Sequence, residues 1–183
     1  DLEDLSIPFI GEIPQYFSKE RKLGFKRKKQ SYMKTIVVKE GSRDIINEAF
    51  RVLRSNMDFM AGKDKGQNVF VLTSFNPGSG KSFLTMNIAM SFAIKKKRIL
   101  VIDGDLRHGS VSSYVDSPRI GLSDYLGNRV ENWKEIIVAD KKYDNLHILP
   151  IGTVPPNPTE LLEDGKLATL IGALRGEYDY IFI

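Results

Sequence analysis

The chain has no cysteine in its 183 residues. That excludes disulfide bonds, a thiol nucleophile and any Cys-ligated metal, and it suits a reducing compartment. Only two histidines occur, His108 and His147, and they lack metal-like spacing, so neither is given a function. No apolar stretch approaches the ~18–20 residues that span a bilayer, and no signal-peptide pattern opens the sequence. There is also no aromatic interleaving of basic residues and no recognition-helix pattern, which argues against nucleic acid as a partner. The chain begins at Asp1 instead of Met and stops on the apolar run Ile181-Phe182-Ile183 without a terminator. The expectation is a segment of a longer protein.

What is present fits one compact domain with an arm, since 42% of the residues are hydrophobic. The net charge of +4 is concentrated in Lys19 to Lys29, KERKLGFKRKK. Such a block attracts an anionic membrane surface, the alternative being a solvated linker. Pro8, Gly11, Pro14 and Gly24 break any periodicity, so residues 1–34 are expected to form a connecting arm and 35–183 the domain. Ile45 to Met60 places Ile45, Ile46, Ala49, Phe50, Leu53, Met57 and Met60 on one broad helical arc. After it, apolar strands alternate with helical segments: strands at 69–73, 98–102, 146–150 and 180–183, helices at 81–94 and about 159–174. Strands apolar throughout and separated by helices predict a three-layer α/β/α sandwich with a mainly parallel sheet.

Two stretches carry chemistry. The first, TSFNPGSGKS at residues 73–82, ends like a phosphate-binding P-loop but has Phe75 where the pattern G-x-x-x-x-G-K-[ST] asks for its first glycine. It follows a strand and opens a helix, the context in which the pattern is meaningful. Gly78 and Gly80 let the backbone amides turn inward, Lys81 reaches the β and γ phosphates, and the Ser82 hydroxyl can ligate Mg²⁺. The segment Pro77, Gly78, Ser79, Gly80, Lys81, Ser82 and Phe83 is the expected ATP phosphate cradle. Phe75 is tolerable there if the turn keeps its φ negative. The second stretch, ILVIDGDLR at 99–107, delivers Asp103 and Asp105 at the carboxyl end of a strand, the edge where open α/β sheets bind ligands. Both could hold Mg²⁺, and one could accept a proton from an attacking hydroxyl.

Together these motifs resemble the Walker A and Walker A′ motifs of the bacterial tyrosine kinases, the cytoplasmic kinase domains of capsule and exopolysaccharide co-polymerases. The related Min and Par partitioning ATPases carry a signature lysine five residues before the P-loop lysine, a place held here by Asn76. Glu48, Arg51 and Arg54 match the kinases' E-x-x-R-x-x-R motif. By helical geometry they fall opposite the apolar arc and are expected to be free to contact a neighbour. Pro155-Pro156-Asn157-Pro158-Thr159-Glu160-Leu161-Leu162 matches a further family segment, and Asp1 to Pro14 is similar to the segment after the second transmembrane helix in membrane-fused forms. Tyr178 to Ile183 looks like the strand leading into Walker B, but its acidic residue would lie beyond Ile183. No tyrosine cluster is present, because the seven tyrosines are scattered.

The resemblance implies an ATP- and Mg²⁺-dependent protein-tyrosine autokinase that regulates capsular or exopolysaccharide polymerisation and export. Lys81, Asp103 and Asp105 would be catalytic, with Ser82, Asp103 and Asp105 at the metal. It further implies a ring-shaped homo-oligomer, an octamer, built through Glu48, Arg51 and Arg54. Each subunit would phosphorylate a neighbour's tyrosine-rich tail, in the cytoplasmic domain of a bacterial inner-membrane protein. The alternatives are a Min/Par-type ATPase switch and a non-catalytic, nucleotide-binding co-polymerase regulator.

Overall fold

A computed structural model describes residues 8–15, 35–62 and 67–183. The basic segment Lys19 to Lys29 lies outside the described residues. The centre of the fold is strand β2 (Ile99–Ile102), whose four residues are all buried. A strand apolar on both faces must be covered on both. Its neighbours are β5 (Tyr180–Phe182) on one side and β4 (Leu146–Leu149) on the other. The sheet runs β1-β5-β2-β4-β3, with β1 at Val69–Phe70 and β3 at Val138–Ala139. Every pairing is parallel except β3 with β4. The sheet is thus mainly parallel, as expected, with a two-residue antiparallel edge too short to leave a sequence signal.

The period-two alternation of β2 sorts the core into two layers. Ile99 and Val101 join Phe50, Met86, Phe92, Ile148 and Phe182 beneath α1 (Ile45–Ala61) and α2 (Lys81–Ala93). Leu100 and Ile102 join Leu122, Leu149, Leu170 and Ile181 beneath α3 (Leu122–Leu126) and α5 (Lys166–Leu174). The result is the expected α/β/α sandwich.

Two helix expectations need correction. The helix foreseen over 159–174 is two helices, α4 (Pro158–Glu163) and α5, because the chain turns at Gly165 with φ of 72°. The apolar arc of α1 is also narrower than expected. Its buried positions are Asn47, Phe50, Leu53, Met57 and Ala61, whereas Ile45 and Met60 are exposed. The α1 N-terminus is capped by Asp44, whose side chain accepts the Asn47 N–H. Hydrogen bonds from Ser42 and Asn47 pull that carboxyl down to about 2.

Residues 35–39 join the domain through two buried asparagines instead of through the sheet. Asn87 Oδ1 accepts the N–H groups of Val37 (2.7 Å) and Val38 (3.1 Å), and its Nδ2 donates to Thr35 O and Phe83 O. Asn47 Oδ1 accepts from Lys39 N–H, and its Nδ2 donates to Val37 O. Residues 8–15 also lie on α1, where Asn56 Nδ2 donates to Ile10 O at 2.8 Å. Because Asn87 is fully buried, Asn87→Leu would orphan two buried N–H groups. A loss of about 2–6 kcal/mol is expected, from ~1–3 kcal/mol for each of the two unsatisfied groups, and denaturant unfolding would measure it.

Candidate active site

Parallel strands carry their carboxyl ends to one sheet edge, and β1, β5 and β2 are adjacent there. The loop of residues 73–80 leaves β1 towards α2, and Asp103 directly follows β2. Between them β5 ends at Phe182, and the carbonyl of the next residue, Ile183, accepts the Leu72 N–H at 2.9 Å. A Cβ on Gly104 would lie 3.1 Å from the Ile183 Cγ2. The two sequence motifs, with Lys81 and Asp103 about 20 residues apart, are thus delivered to one edge by topology alone.

Within the loop, Gly78 and Gly80 adopt φ of 75° and 94°. A Cβ at either would meet nothing within 4 Å, so conformation and not space requires glycine there. Phe75 is absent from the residues of positive φ and is fully exposed. The missing glycine is therefore not needed at that position. Gly80 is the N-cap of α2 and no side chain caps the helix, so the positive end of the helix dipole faces the loop. The Lys81 ammonium reaches back across the loop to donate to Ser74 Oγ at 2.8 Å. Ser74 Oγ also accepts from Ser79 Oγ (2.7 Å) and donates to Asn76 O (3.0 Å). The Ser74 hydroxyl thereby ties the start of the loop to Lys81 at its far end, a role that no spacing in the sequence announced. Phe83, expected in the phosphate cradle, lies in the first turn of α2 and packs against the core, with its ring edge-to-face on Phe50 at 6.3 Å.

The two carboxylates differ sharply. Asp103 is 2% exposed. Its Oδ2 accepts both the Ser112 N–H (2.6 Å) and the Ser112 hydroxyl (2.7 Å), while Oδ1 accepts a long 3.3 Å bond from the Asp105 N–H. Burial raises its pKa, and the bonds from Ser112 and the Asp105 N–H oppose that. Asp105 is half-exposed. It accepts the N–H groups of Arg107 and His108 at 3.2 Å each, and it pairs with the His108 ring at 3.0 Å.

Among the described residues no three His, Asp or Glu side chains gather into a metal cluster. Mg²⁺ characteristically takes one or two carboxylates and completes its shell with water and phosphate oxygens. The donors at this edge, the Ser82 hydroxyl and the Asp103 and Asp105 carboxylates, are all hard oxygens of that kind, so the residues fit Mg²⁺ alongside a nucleotide.

Glu48, Arg51 and Arg54 depart from the expectation that all three are free. Arg51 Nη1 pairs with Glu48 Oε1 at 3.1 Å and its Nη2 donates to Ser42 O at 2.8 Å. Arg54 Nη1 donates to Ser91 O and Ser91 Oγ, both at 3.1 Å. Burial, and then Arg51, lower the Arg54 pKa. Arg54 thereby braces α1 against the carboxyl end of α2, where carbonyls lack helical partners, while Arg51 ties α1 back to the turn that precedes it. Arg51 and Arg54 line an open basic cleft together with Lys39, Arg43 and Lys95. The outward face of α1 is instead built from Ile45, Val52 and Phe59, spaced seven residues apart and 79%, 54% and 87% exposed, with Glu48 between the first two.

No protein-family model matches the chain. It is similar to the Staphylococcus aureus protein named "Putative tyrosine-protein kinase CapB", with 34% identity over 157 residues, covering 85% of this chain and 68% of that one. It is likewise similar to tyrosine-protein kinase wzc of Salmonella typhimurium, with 34% identity over 164 residues, but there it spans 22% of the relative's length. Among solved structures, the kinase domain of Escherichia coli tyrosine kinase ETK superposes with a TM-score of 0.81 at 26% identity, covering 99% of this chain and 69% of that one. The chimerical protein CapA2B2 gives 0.78 at 30%, covering 100% and 72%. The septum site-determining protein MinD of Pyrococcus horikoshii, complexed with Mg-ADP, gives 0.54 at 29% over 63% of this chain and 47% of that one.

Proposed function

The chain belongs to the family of bacterial tyrosine-protein kinases, and from that premise we propose that it transfers the γ-phosphoryl group of ATP to tyrosine and so regulates capsular or exopolysaccharide polymerisation and export. The observation that carries this reading is the delivery of Lys81 and Ser82 on one loop, and of Asp103 and Asp105 on another, to the same sheet edge. In the transfer, the tyrosine phenolic oxygen bonds to the γ-phosphorus and the bond from that phosphorus to the β,γ-bridging oxygen breaks, leaving ADP. The loop amides from Gly78 to Phe83 cradle the phosphates, and Pro77 sets the entry to that turn. Lys81 opposes the charge on the β and γ oxygens as it builds. Ser82, Asp103 and Asp105 would hold Mg²⁺, which when bound adds further charge neutralisation. The phenolic proton passes to Asp105, the exposed carboxylate of the pair, while buried Asp103 keeps a fixed direction.

The acceptor in this reading is a tyrosine-rich tail of a neighbouring subunit in a ring-shaped homo-oligomer, an octamer. Two surfaces of α1 support assembly. The apolar stripe Ile45, Val52 and Phe59 offers a core, and the cleft beside Arg51 and Arg54 offers cations to a neighbour's Glu48. Among the described residues no helix is long and apolar enough to cross a membrane. The arm would lead to an inner-membrane anchor from the cytoplasmic side, with Lys19 to Lys29 near the lipid surface. The likeness to MinD keeps an ATPase switch as the second reading. Incubation of the full-length protein with γ-labelled ATP separates the two. Label recovered as phosphotyrosine supports the kinase, and free phosphate without phosphotyrosine supports the switch.

A further inference from the structure

We propose that Ser112 is a positioning residue for Asp103, holding one carboxylate oxygen so that the other is presented to the metal of the nucleotide site. The inference rests on the reading of that site given above. Both donors of Ser112 converge on a single oxygen, Asp103 Oδ2, at 2.6 Å from N–H and 2.7 Å from the hydroxyl. Bonds to an ionised acceptor at these lengths are among the strong ones. Oδ1, by contrast, has one long bond at 3.3 Å. The asymmetry leaves Oδ1 as the oxygen with capacity for another ligand.

The direction of the Ser112 hydroxyl is itself fixed. A hydroxyl has one hydrogen to give, and Ser112 Oγ already accepts the Ile151 N–H at 2.8 Å. With its acceptor side turned to Ile151, the hydrogen points to Asp103. Ser112 and Asp103 are each 2% exposed, so bulk water hardly competes for either. The backbone just after β4 thus fixes Ser112, which in turn fixes the plane of the carboxylate at the end of β2. Groups that orient a ligand in this way typically change metal affinity by about 10–100-fold when removed. Ser112 lies nine residues beyond Asp103 and belongs to no motif of the sequence, so only the fold brings it to the site.

The test is calorimetric titration of the full-length protein with ADP, in excess Mg²⁺ and in EDTA. Ser112→Ala is expected to reduce the Mg²⁺-dependent gain in ADP affinity about tenfold while leaving affinity in EDTA unchanged. Ser112→Cys, which keeps the volume but donates weakly, should show the same loss and serves if the alanine variant does not fold. In an Asp103→Asn background, Ser112→Ala should bring no further loss, because the two act through one carboxylate. A variant that keeps the full Mg²⁺ gain, or that loses affinity equally with and without Mg²⁺, would show packing alone and overturn the proposal. A wild-type protein with no Mg²⁺ gain would overturn the metal reading of the site itself, and this inference with it.

Discussion

Lys81→Met is expected to reduce tyrosine phosphorylation by about 10²–10³-fold, the effect of removing one preorganised donor aimed at developing charge. The figure is a lower bound in kind, since this donor carries a full positive charge. The side chain is well placed for the test because its hydrogen bond is to Ser74 Oγ on the same loop and it supports no part of the core. Methionine preserves most of the aliphatic stem and is an adequate helix former at the start of α2, so thermal unfolding should move little, by less than about 0.5 kcal/mol. The informative result is therefore a pair: near-wild-type unfolding with phosphotyrosine lost on an immunoblot of the full-length protein. Unchanged phosphotyrosine would remove this loop from the reaction. Lys81→Arg should not restore activity, because a planar guanidinium cannot stand in for a compact ammonium in a closed cradle.

The parts of this site that were legible in the sequence are those in which one residue type has one physical use. Gly78 and Gly80 had to be glycine for their positive φ, and four apolar-rich segments read as strands of the sheet, although the first, expected over 69–73, stops at Phe70 and leaves Val71 exposed. Phe75 was legible too, because a negative φ makes glycine dispensable. What escaped is of another kind. Ser74 and Ser112 bond through space to Lys81 and Asp103, and a serine has so many ordinary uses that its partner cannot be inferred from its neighbours. Asn47 and Asn87 were silent for the same reason, since a buried amide is recognisable only once the backbone it satisfies is beside it. The two-residue strand β3 is too short to carry a period.

The α1 face shows a subtler failure. The angular argument put Glu48, Arg51 and Arg54 away from the core, and it holds for Glu48 and Arg51 but not for Arg54, which stands seven residues from buried Asn47 and seven from buried Ala61 and so shares their face. From that inner face the Arg54 guanidinium meets the Ser91 carbonyl and hydroxyl on α2, while its aliphatic stem runs along the apolar seam. The same argument counted Ile45 as core because it was apolar, although it stands seven residues before exposed Val52 and shares that outer face.

This correction changes what should follow from mutating the motif. Replacing Glu48, Arg51 and Arg54 together by alanine is expected to give a smaller species on size-exclusion chromatography with light scattering, but that experiment mixes two effects. Arg54→Ala removes charge-assisted bonds to Ser91 at the carboxyl end of α2 and should lower stability by about 1.5–3 kcal/mol whatever the assembly. Glu48→Ala breaks only a half-exposed ion pair with Arg51, worth about 0–1 kcal/mol, so its unfolding should hardly shift. Val52→Asp leaves the core untouched, because Val52 projects from the outer face, yet it would place a charge in the middle of the apolar stripe. If the outer face of α1 is where subunits meet, both substitutions dissociate the assembly while the fold survives. Tail phosphorylation in trans then falls with them, and the intrinsic affinity for ADP does not. Unchanged elution for both variants would exclude this face from the interface and leave the arginines with purely intramolecular tasks, Arg54 bracing α1 on α2 and Arg51 holding the turn before α1.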